Sequence, residues 1–226
     1  MHQGQRNETV SAAEVRRATR DHARRSLTQE QSEQLALYLS CLLRWNQRMN
    51  LVSAADWKTL LIKLILDSVF LAELLDEVGP VPEPRILDVG AGAGLPGIPY
   101  RILRQAGSYV MLEPRGKRHS FLRFVLSQLR LPDTEAVQAR LEDLSPDSNR
   151  AEVLLGRGTA RWQRFLRLVA PYCMPEGIAV VFSGTPFPRG ESPPEGWYLL
   201  RETPYQTSPD LAPRYFWSFC PKKAPS

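Results

Sequence analysis

Cysteine is scarce in this sequence. Its 226 residues hold three, Cys41, Cys173 and Cys220. They are far apart, odd in number and never spaced as C-x-x-C, which argues against a disulfide framework and against a thiolate metal site. A reducing cytoplasm is the expected location. Histidine is as scarce, with His2, His22 and His119 scattered along the chain, and no metal is expected. Long apolar runs are missing. "LLIKLIL" is broken by Lys63, and no stretch approaches the roughly 18 apolar residues of a membrane span. The N-terminus lacks the apolar core of a secretory signal. Glu8, Glu14 and Asp21, among the six arginines of residues 1–25, speak against an organelle transit peptide.

Lysine is rare too, five against 24 arginines, and the net charge is +5. Arginine suits phosphates and stacks on bases. A GC-rich genome accounts for much of the arginine preference but not for the net positive charge, which points to a polyanionic partner. The length and the 43% hydrophobic content fit one α/β domain with a small extension.

Ser11 and Glu14 form a capping-box signature, so a short, loosely attached helix is expected there. Thr28 and Gln31 form another. Behind it Leu35, Tyr38, Leu39, Leu42, Trp45 and Met49 recur at helical spacing, which predicts one amphipathic helix over residues 29–49, with Trp45 in the core. "NLVSAAD" interrupts it, and a second helical pattern runs through Leu60, Leu61, Leu64 and Ile65 to Leu75. The Pro-rich "VGPVPEP" (78–84) reads as a hinge. The boundary is placed there: a helical region over 1–80, with 1–25 loosely attached or disordered, and the main domain over 81–226.

Beyond the hinge, strand and helix alternate. "RILDV", "SYVMLE", "EAVQARL", "AEVLLG" and "GIAVVFS" read as strands. Residues 97–105, "KRHSFLRFVLSQL" and "RWQRFLRLVAPYC" read as helices. This is an α/β pattern with a parallel sheet. "GWYLLRETPYQ" and "RYFWSFC" have no helix between them and predict an antiparallel hairpin at the sheet's end.

"RILDVGAGAGLPGIP" (85–99) is a Gly-rich turn between a strand and a helix, a nucleotide-binding signal. Gly92-x-Gly94-x-x-Gly97 with Glu113 fits a dinucleotide site. Asp88-x-Gly90-x-Gly92-x-Gly94 with Glu113 ending the next strand fits S-adenosylmethionine (SAM). A pyrophosphate at the turn would be repelled by Asp88, whereas the sulfonium and amino group of SAM would be attracted. Asp88 therefore favours SAM. Pro96 fits the first turn of the following helix. Further along, Trp162, Phe165, Leu166 and Val169 form the apolar face of a helix whose other side carries Arg161, Arg164 and Arg167. That basic side is read equally as a solvated face and as a phosphate contact, with Arg161 and Arg164 the candidate RNA contacts.

From Leu35 to Val181 the chain resembles the bacterial small-subunit rRNA guanine-N7 methyltransferases, also called glucose-inhibited division protein B. "RWNQRMNLVS" (44–53), "KLILDSVFL" (63–71), "RILDVGAGAGLPGIP" (85–99), "GKRHSFLRFV" (116–125) and "VQARLEDL" (137–144) carry the resemblance. It implies a Rossmann-like class I methyltransferase sheet with an N-terminal helical extension, SAM as cofactor, and 16S rRNA or the small ribosomal subunit as partner. Apart from the resemblance, a monomer with no membrane partner is expected. Gly90 and Leu95 would match SAM contacts in the turn, joining Asp88, Gly92 and Gly94 of the pattern above as cofactor-binding candidates. Glu113 would hold the ribose hydroxyls, and Leu141 and Glu142 would lie beside the adenine. Arg157 would face the methyl-transfer site, touching cofactor and positioning the reaction. Lys117, Arg118 and Arg140 would meet RNA or shape the pocket. The chain departs from the family's pattern in having Leu64 in place of a histidine, Ser183 in place of a lysine, and Gly156-Arg157-Gly158 in place of Ser-Arg-Ala.

Guanine N7 offers a free lone pair, so no general base is needed and none is assigned. Two other readings stand beside the methyltransferase. One is a non-catalytic SAM-fold RNA-binding relative, motivated by the three departures. The other is an NAD-dependent oxidoreductase, for which no Tyr-x-x-x-Lys is found.

Overall fold

A computed structural model of the chain describes residues 10–54 and 56–222. His2, Glu8 and the rest of the first nine residues lie outside that range. Among the described residues, three α-helices and a π-helical turn come first: α1 (Ala12–Ala23), α2 (Gln29–Met49), α3 (Trp57–Leu60) and the π turn Leu61–Ile65. Helix α4 (Asp67–Val78) leads to the sheet domain. There β1 (Arg85–Val89), α5 (Gly97–Leu103), β2 (Ser108–Leu112), α6 (Gly116–Leu129) and β3 (Thr134–Val137) alternate. They are followed by β4 (Ala151–Gly156), α7 (Trp162–Val169), β5 (Cys173–Ser183), β6 (Trp197–Tyr205) and β7 (Arg214–Pro221).

The seven strands form one sheet in the order β3-β2-β1-β4-β5-β7-β6. Strands β1 to β5 are parallel, while β7 runs antiparallel between β5 and β6. The expected terminal hairpin is therefore present. The central strands are buried on both faces, as the apolar runs require of a parallel sheet. Ile86, Tyr109, Met111, Val153 and Val180 point into a core covered by α1, α2, α4, α5 and α6. Leu87, Val110, Leu154 and Ala179 point the other way, under Phe165, Leu166 and Val169 of α7.

Strand order reverses between β1 and β4. Val89 at the end of β1 lies beside Leu112 of β2 and Gly156 of β4. A crevice opens where neighbouring chains leave a parallel sheet in opposite directions. The residues that follow these three ends are the Gly-rich turn, Glu113 and Arg157, so topology alone brings them together.

Several local readings need correction. Thr28 and Gln31 do form a reciprocal capping box at the start of α2. Ser11 stands at the N-cap of α1, but its side chain bonds to nothing there. Nor is α1 loosely attached, since Val15, Thr19 and Ala23 are buried. The helical pattern from Leu60 to Leu75 is not one helix: the π turn interrupts it, and α4 starts afresh at Asp67. The strand expected over 135–141 ends at Val137, and Leu141 begins a short 3-10 turn. Pro96 lies one position before α5, joined to Leu95 by a cis peptide.

Candidate active site

The Gly-rich turn is held from three sides. The amides of Gly90 and Ala91 both donate to the Leu112 carbonyl, at 2.9 and 3.0 Å. The buried Tyr38 hydroxyl of α2 donates to the Ala93 carbonyl at 2.8 Å. Ser68 of α4 donates to the Pro96 carbonyl at 3.0 Å. Gly90, Gly92 and Gly94 all have positive φ, which explains their identity, since side chains disfavour that region. A Cβ on Gly90 would also come within 2.8 Å of Thr159, whose hydroxyl bonds to the Val89 carbonyl. Gly92 differs. Around it a Cβ would meet only the Arg118 guanidinium, at 3.6 Å, and the Gly90 carbonyl, at 3.8 Å. The backbone is bare on that side, as a ligand lying against it requires.

Glu113 is almost fully buried at the end of β2. One carboxylate oxygen accepts from the Gly92 amide at 3.0 Å, the other from the Arg115 amide at 2.9 Å. A carboxylate has about four acceptor positions, so two remain for hydroxyl groups. Asp88 lies deeper. It is 1% exposed, packs beneath Gly97 and accepts from the Tyr109 hydroxyl at 3.1 Å. Burial pushes its pKa up to about 7, against the opposing pull of Tyr109 and Arg157. Asp88 thus sits under the turn, not on its open side.

Arg157 leaves the end of β4 half-buried, its guanidinium 5.8 Å from the Phe182 ring. Its Nη2 donates to Asp67 Oδ2 at 2.6 Å and its Nη1 to the Leu64 carbonyl at 3.2 Å. Beside it, at the C-terminal ends of β4 and β5, is a cleft of about 180 Å³. Thr159, Trp162, Phe165, Phe182 and Ser183 are among its walls, with Gly156 and Gly158 at its edge. Two of the three departures, Gly158 and Ser183, therefore share one cleft, and the third, Leu64, holds Arg157 through its backbone.

The other expected residues are spread around this rim. Leu95 is buried. Lys117 and Arg118 open α6, Lys117 exposed and Arg118 over the Gly-rich turn. Leu141 is buried in the core under α7, its carbonyl taken by the Tyr172 hydroxyl, with Glu142 exposed next to it. Arg140 is exposed, its amide capped by Asp143. Arg161 and Arg164 are exposed at the N-terminal part of α7, opposite its buried Phe165 and Leu166. Trp45 packs against Phe121 and Phe124, with ring centres 5.5 and 5.4 Å away.

Sequence reasoning did not find Asp67, Tyr205 and Arg214. Asp67 is 1% exposed and takes Arg157, Arg214 and the Tyr205 hydroxyl at once. Burial pushes its pKa up, and the two guanidiniums pull against that. Among the described residues no helix is long and apolar enough to cross a membrane.

The family model described as rRNA small subunit methyltransferase G matches residues 31–187. A ribosomal RNA small subunit methyltransferase G of Nitratidesulfovibrio vulgaris is 41% identical over 194 residues, covering 86% of this chain and 87% of its own. One of Oleidesulfovibrio alaskensis is 36% identical over 200 residues, covering 85% and 86%. Among solved structures, a SAM-dependent methyltransferase from Aquifex aeolicus superposes with a TM-score of 0.52 at 15% identity, covering 71% of this chain and 92% of that one. At that identity the likeness speaks for the fold.

Proposed function

This chain belongs to the rRNA small subunit methyltransferase G family, and we propose that it transfers the methyl group of SAM to N7 of a guanine in 16S rRNA. SAM is the cofactor of this methyltransferase fold, and when bound it supplies a methyl already activated by the sulfonium. The observation that carries the reading is the meeting of three strand ends. The bare backbone at Gly92 and the Glu113 carboxylate meet at the sheet's switch point, and Arg157 follows directly on the end of β4 beside them.

The chain's own groups do four things in this reading. Glu113 receives the ribose hydroxyls on its two remaining acceptor positions. Asp88, beneath the turn, contributes negative charge toward a cationic ligand. Arg157 stays fixed at the end of β4, between the cofactor turn and the cleft. The cleft receives the purine, with Trp162 and Phe182 as stacking walls and water displaced from its polar edge. A purine reaches such a cleft from a loop or an unstacked position, because side chains cannot read the deep groove of duplex RNA. N7 carries a lone pair, so the work is alignment and exclusion of water, with no proton to remove. The exposed Lys117, Arg140, Arg161 and Arg164 rim the same end of the fold and offer phosphate contacts. The protein acts as a cytoplasmic monomer.

The test is nucleoside mass spectrometry of 16S rRNA from cells with and without the gene, beside calorimetry of the purified protein with SAM and with NAD. N7-methylguanine is expected to fall on deletion and return on complementation. SAM binding with unchanged N7-methylguanine would replace the enzyme by the non-catalytic relative, and NAD binding without SAM binding would overturn the cofactor.

A further inference from the structure

Arg157 does not stand alone at the end of β4. Its partner Asp67 lies 90 residues earlier in the chain. Asp67 Oδ2 accepts from Arg157 Nη2 at 2.6 Å and from Arg214 Nη1 at 2.9 Å. Its Oδ1 accepts from Arg214 Nη1 at 2.7 Å and from the Tyr205 hydroxyl at 3.1 Å. The carboxylate is fully engaged and almost fully buried. Tyr205 ends β6 and Arg214 begins β7, both beyond the residues that match the family model.

The backbone before Asp67 completes the arrangement. In the π turn Leu61–Ile65 the Leu66 amide reaches back five residues, to the Leu61 carbonyl. The carbonyls of Lys63 and Leu64 are turned outward and accept from Arg214 and Arg157, at 2.6 and 3.2 Å. Such single wide turns in a helix recur where a helix serves a site. One residue past Asp67, Ser68 bonds to the Pro96 carbonyl of the Gly-rich turn. A six-residue segment, "KLILDS", thus touches the cofactor turn, the end of β4 and the C-terminal hairpin.

We propose that Asp67 is the positioning residue of Arg157, and that through Arg214 and Tyr205 the C-terminal hairpin sets where that guanidinium stands in the methyl-transfer site. This rests on the reading of Arg157 as a cofactor-site residue. The physical reason is saturation. A long, flexible arginine keeps one rotamer only if its fork is fixed by acceptors that cannot move. Here the acceptors are a buried carboxylate and a backbone carbonyl. Arg214 favours the ionised carboxylate and holds it in place, since a buried charge persists only when paired and hydrogen-bonded. Protein donors occupy the acceptor positions of Asp67, so it acts through Arg157.

The test is a double-mutant cycle on the full chain with Asp67→Asn, Arg157→Ala and the pair, reading the SAM dissociation constant and the single-turnover rate beside the melting temperature. Asp67→Asn should weaken SAM binding or slow turnover about tenfold, as loss of a hydrogen bond to a charged group does. In the Arg157→Ala background the same change should add nothing to either quantity, while its effect on the melting temperature persists. Arg214→Ala and Tyr205→Phe, which remove other partners of the carboxylate, should give smaller losses of the same kind, with Arg214→Lys recovering part. These two also serve if Asp67→Asn fails to fold. Effects that simply add in the double variant, or hairpin variants that lower the melting temperature with unchanged SAM affinity and rate, would overturn the proposal. The SAM readout is independent of the methylated base: a wild-type chain that binds SAM and modifies another nucleotide would refute the guanine reading and leave this cycle interpretable.

Discussion

The Glu113 carboxylate, at the end of β2, accepts a hydrogen bond from the Gly92 amide 3.0 Å away. One side chain therefore braces the Gly-rich turn and also offers acceptors to a ribose. Replacing it removes both at once. Glu113→Ala should weaken SAM binding by about 1–3 kcal/mol, the range for hydrogen bonds to a charged group. Glu113→Gln should lose less, because its amide oxygen can still accept one of the two backbone amides. Isothermal titration of both variants checks the order, and equal affinity in all three proteins would remove Glu113 from the site.

Tyr38 tests the brace from the helical side. Its hydroxyl reaches from α2 to the Ala93 carbonyl, and both are buried. Tyr38→Phe leaves that carbonyl without its donor, which costs about 1–3 kcal/mol. In a domain of this size about 1 kcal/mol lowers the melting temperature by roughly 2–4 °C. SAM should recover part of the loss, because a ligand that holds the turn stabilises the folded state. Calorimetric scans with and without SAM measure both effects.

The order of strands and main helices was legible because the parallel strands read as short apolar runs and the longer helices as a 3.6-residue period, with glycine and proline between. The Gly-rich turn was legible for the same reason, with all its residues adjacent in sequence. Capping was half legible. The Ser11 and Thr28 signatures look alike, yet only Thr28 has its side-chain bond. The π turn left no mark, because Leu60, Leu61, Ile62, Leu64, Ile65 and Leu66 are apolar at almost every position, so the phase shift of one extra residue has no polar face to show against. The Asp67 cluster was not legible at all. Its partners Arg157 and Arg214 lie 90 and 147 residues away, and only the sheet order makes them neighbours. The sequence places Asp88 beside the turn without saying on which side, and the structure puts it beneath, against Tyr109.

The basic rim can be separated from the cofactor site. Lys117, Arg161 and Arg164 are exposed, so replacing all three by alanine should leave SAM affinity unchanged. The slope of log K against log salt for RNA binding should flatten by about 0.7–0.9 for each phosphate that is no longer neutralised. Arg118 behaves differently, because its guanidinium lies over Gly92. Arg118→Ala should reduce both RNA and SAM affinity. An unchanged salt slope in the triple variant would show a solvated face.

Asp88 links stability to pH. Burial raises its pKa to about 7 in the folded chain, against 3.8 for the free side chain. The folded state therefore holds the proton more tightly than the unfolded state does. The stabilisation is complete below about pH 3.8 and is lost as pH rises through about 7. Asp88→Asn keeps an acceptor for Tyr109 without the ionisation. Its melting temperature relative to wild type should rise between pH 5 and pH 8, on the order of a few kcal/mol of relative stability. Parallel melting curves at the two values of pH would argue against a buried titrating carboxyl.

The same group predicts where pH enters the reaction. The charges that act on Asp88 are Arg157, which favours its ionised form, and Glu113, which disfavours it, with Tyr109 donating directly. A cationic ligand above the turn favours the ionised carboxylate. SAM affinity should therefore increase as pH rises through about 7, and Asp88→Asn should remove that rise. The chemical step is different. Guanine N7 attacks with a lone pair, and no side chain has to take a proton from it, so the single-turnover rate at saturating SAM and RNA should stay flat over the same range. Essential general bases leave their pKa in that rate, and groups that only attract the cofactor leave theirs in its affinity. A rate that titrates near neutrality even with SAM saturating, and that loses its titration in Asp88→Asn, would make Asp88 part of the chemical step and would contradict a lone-pair attack aligned by Arg157.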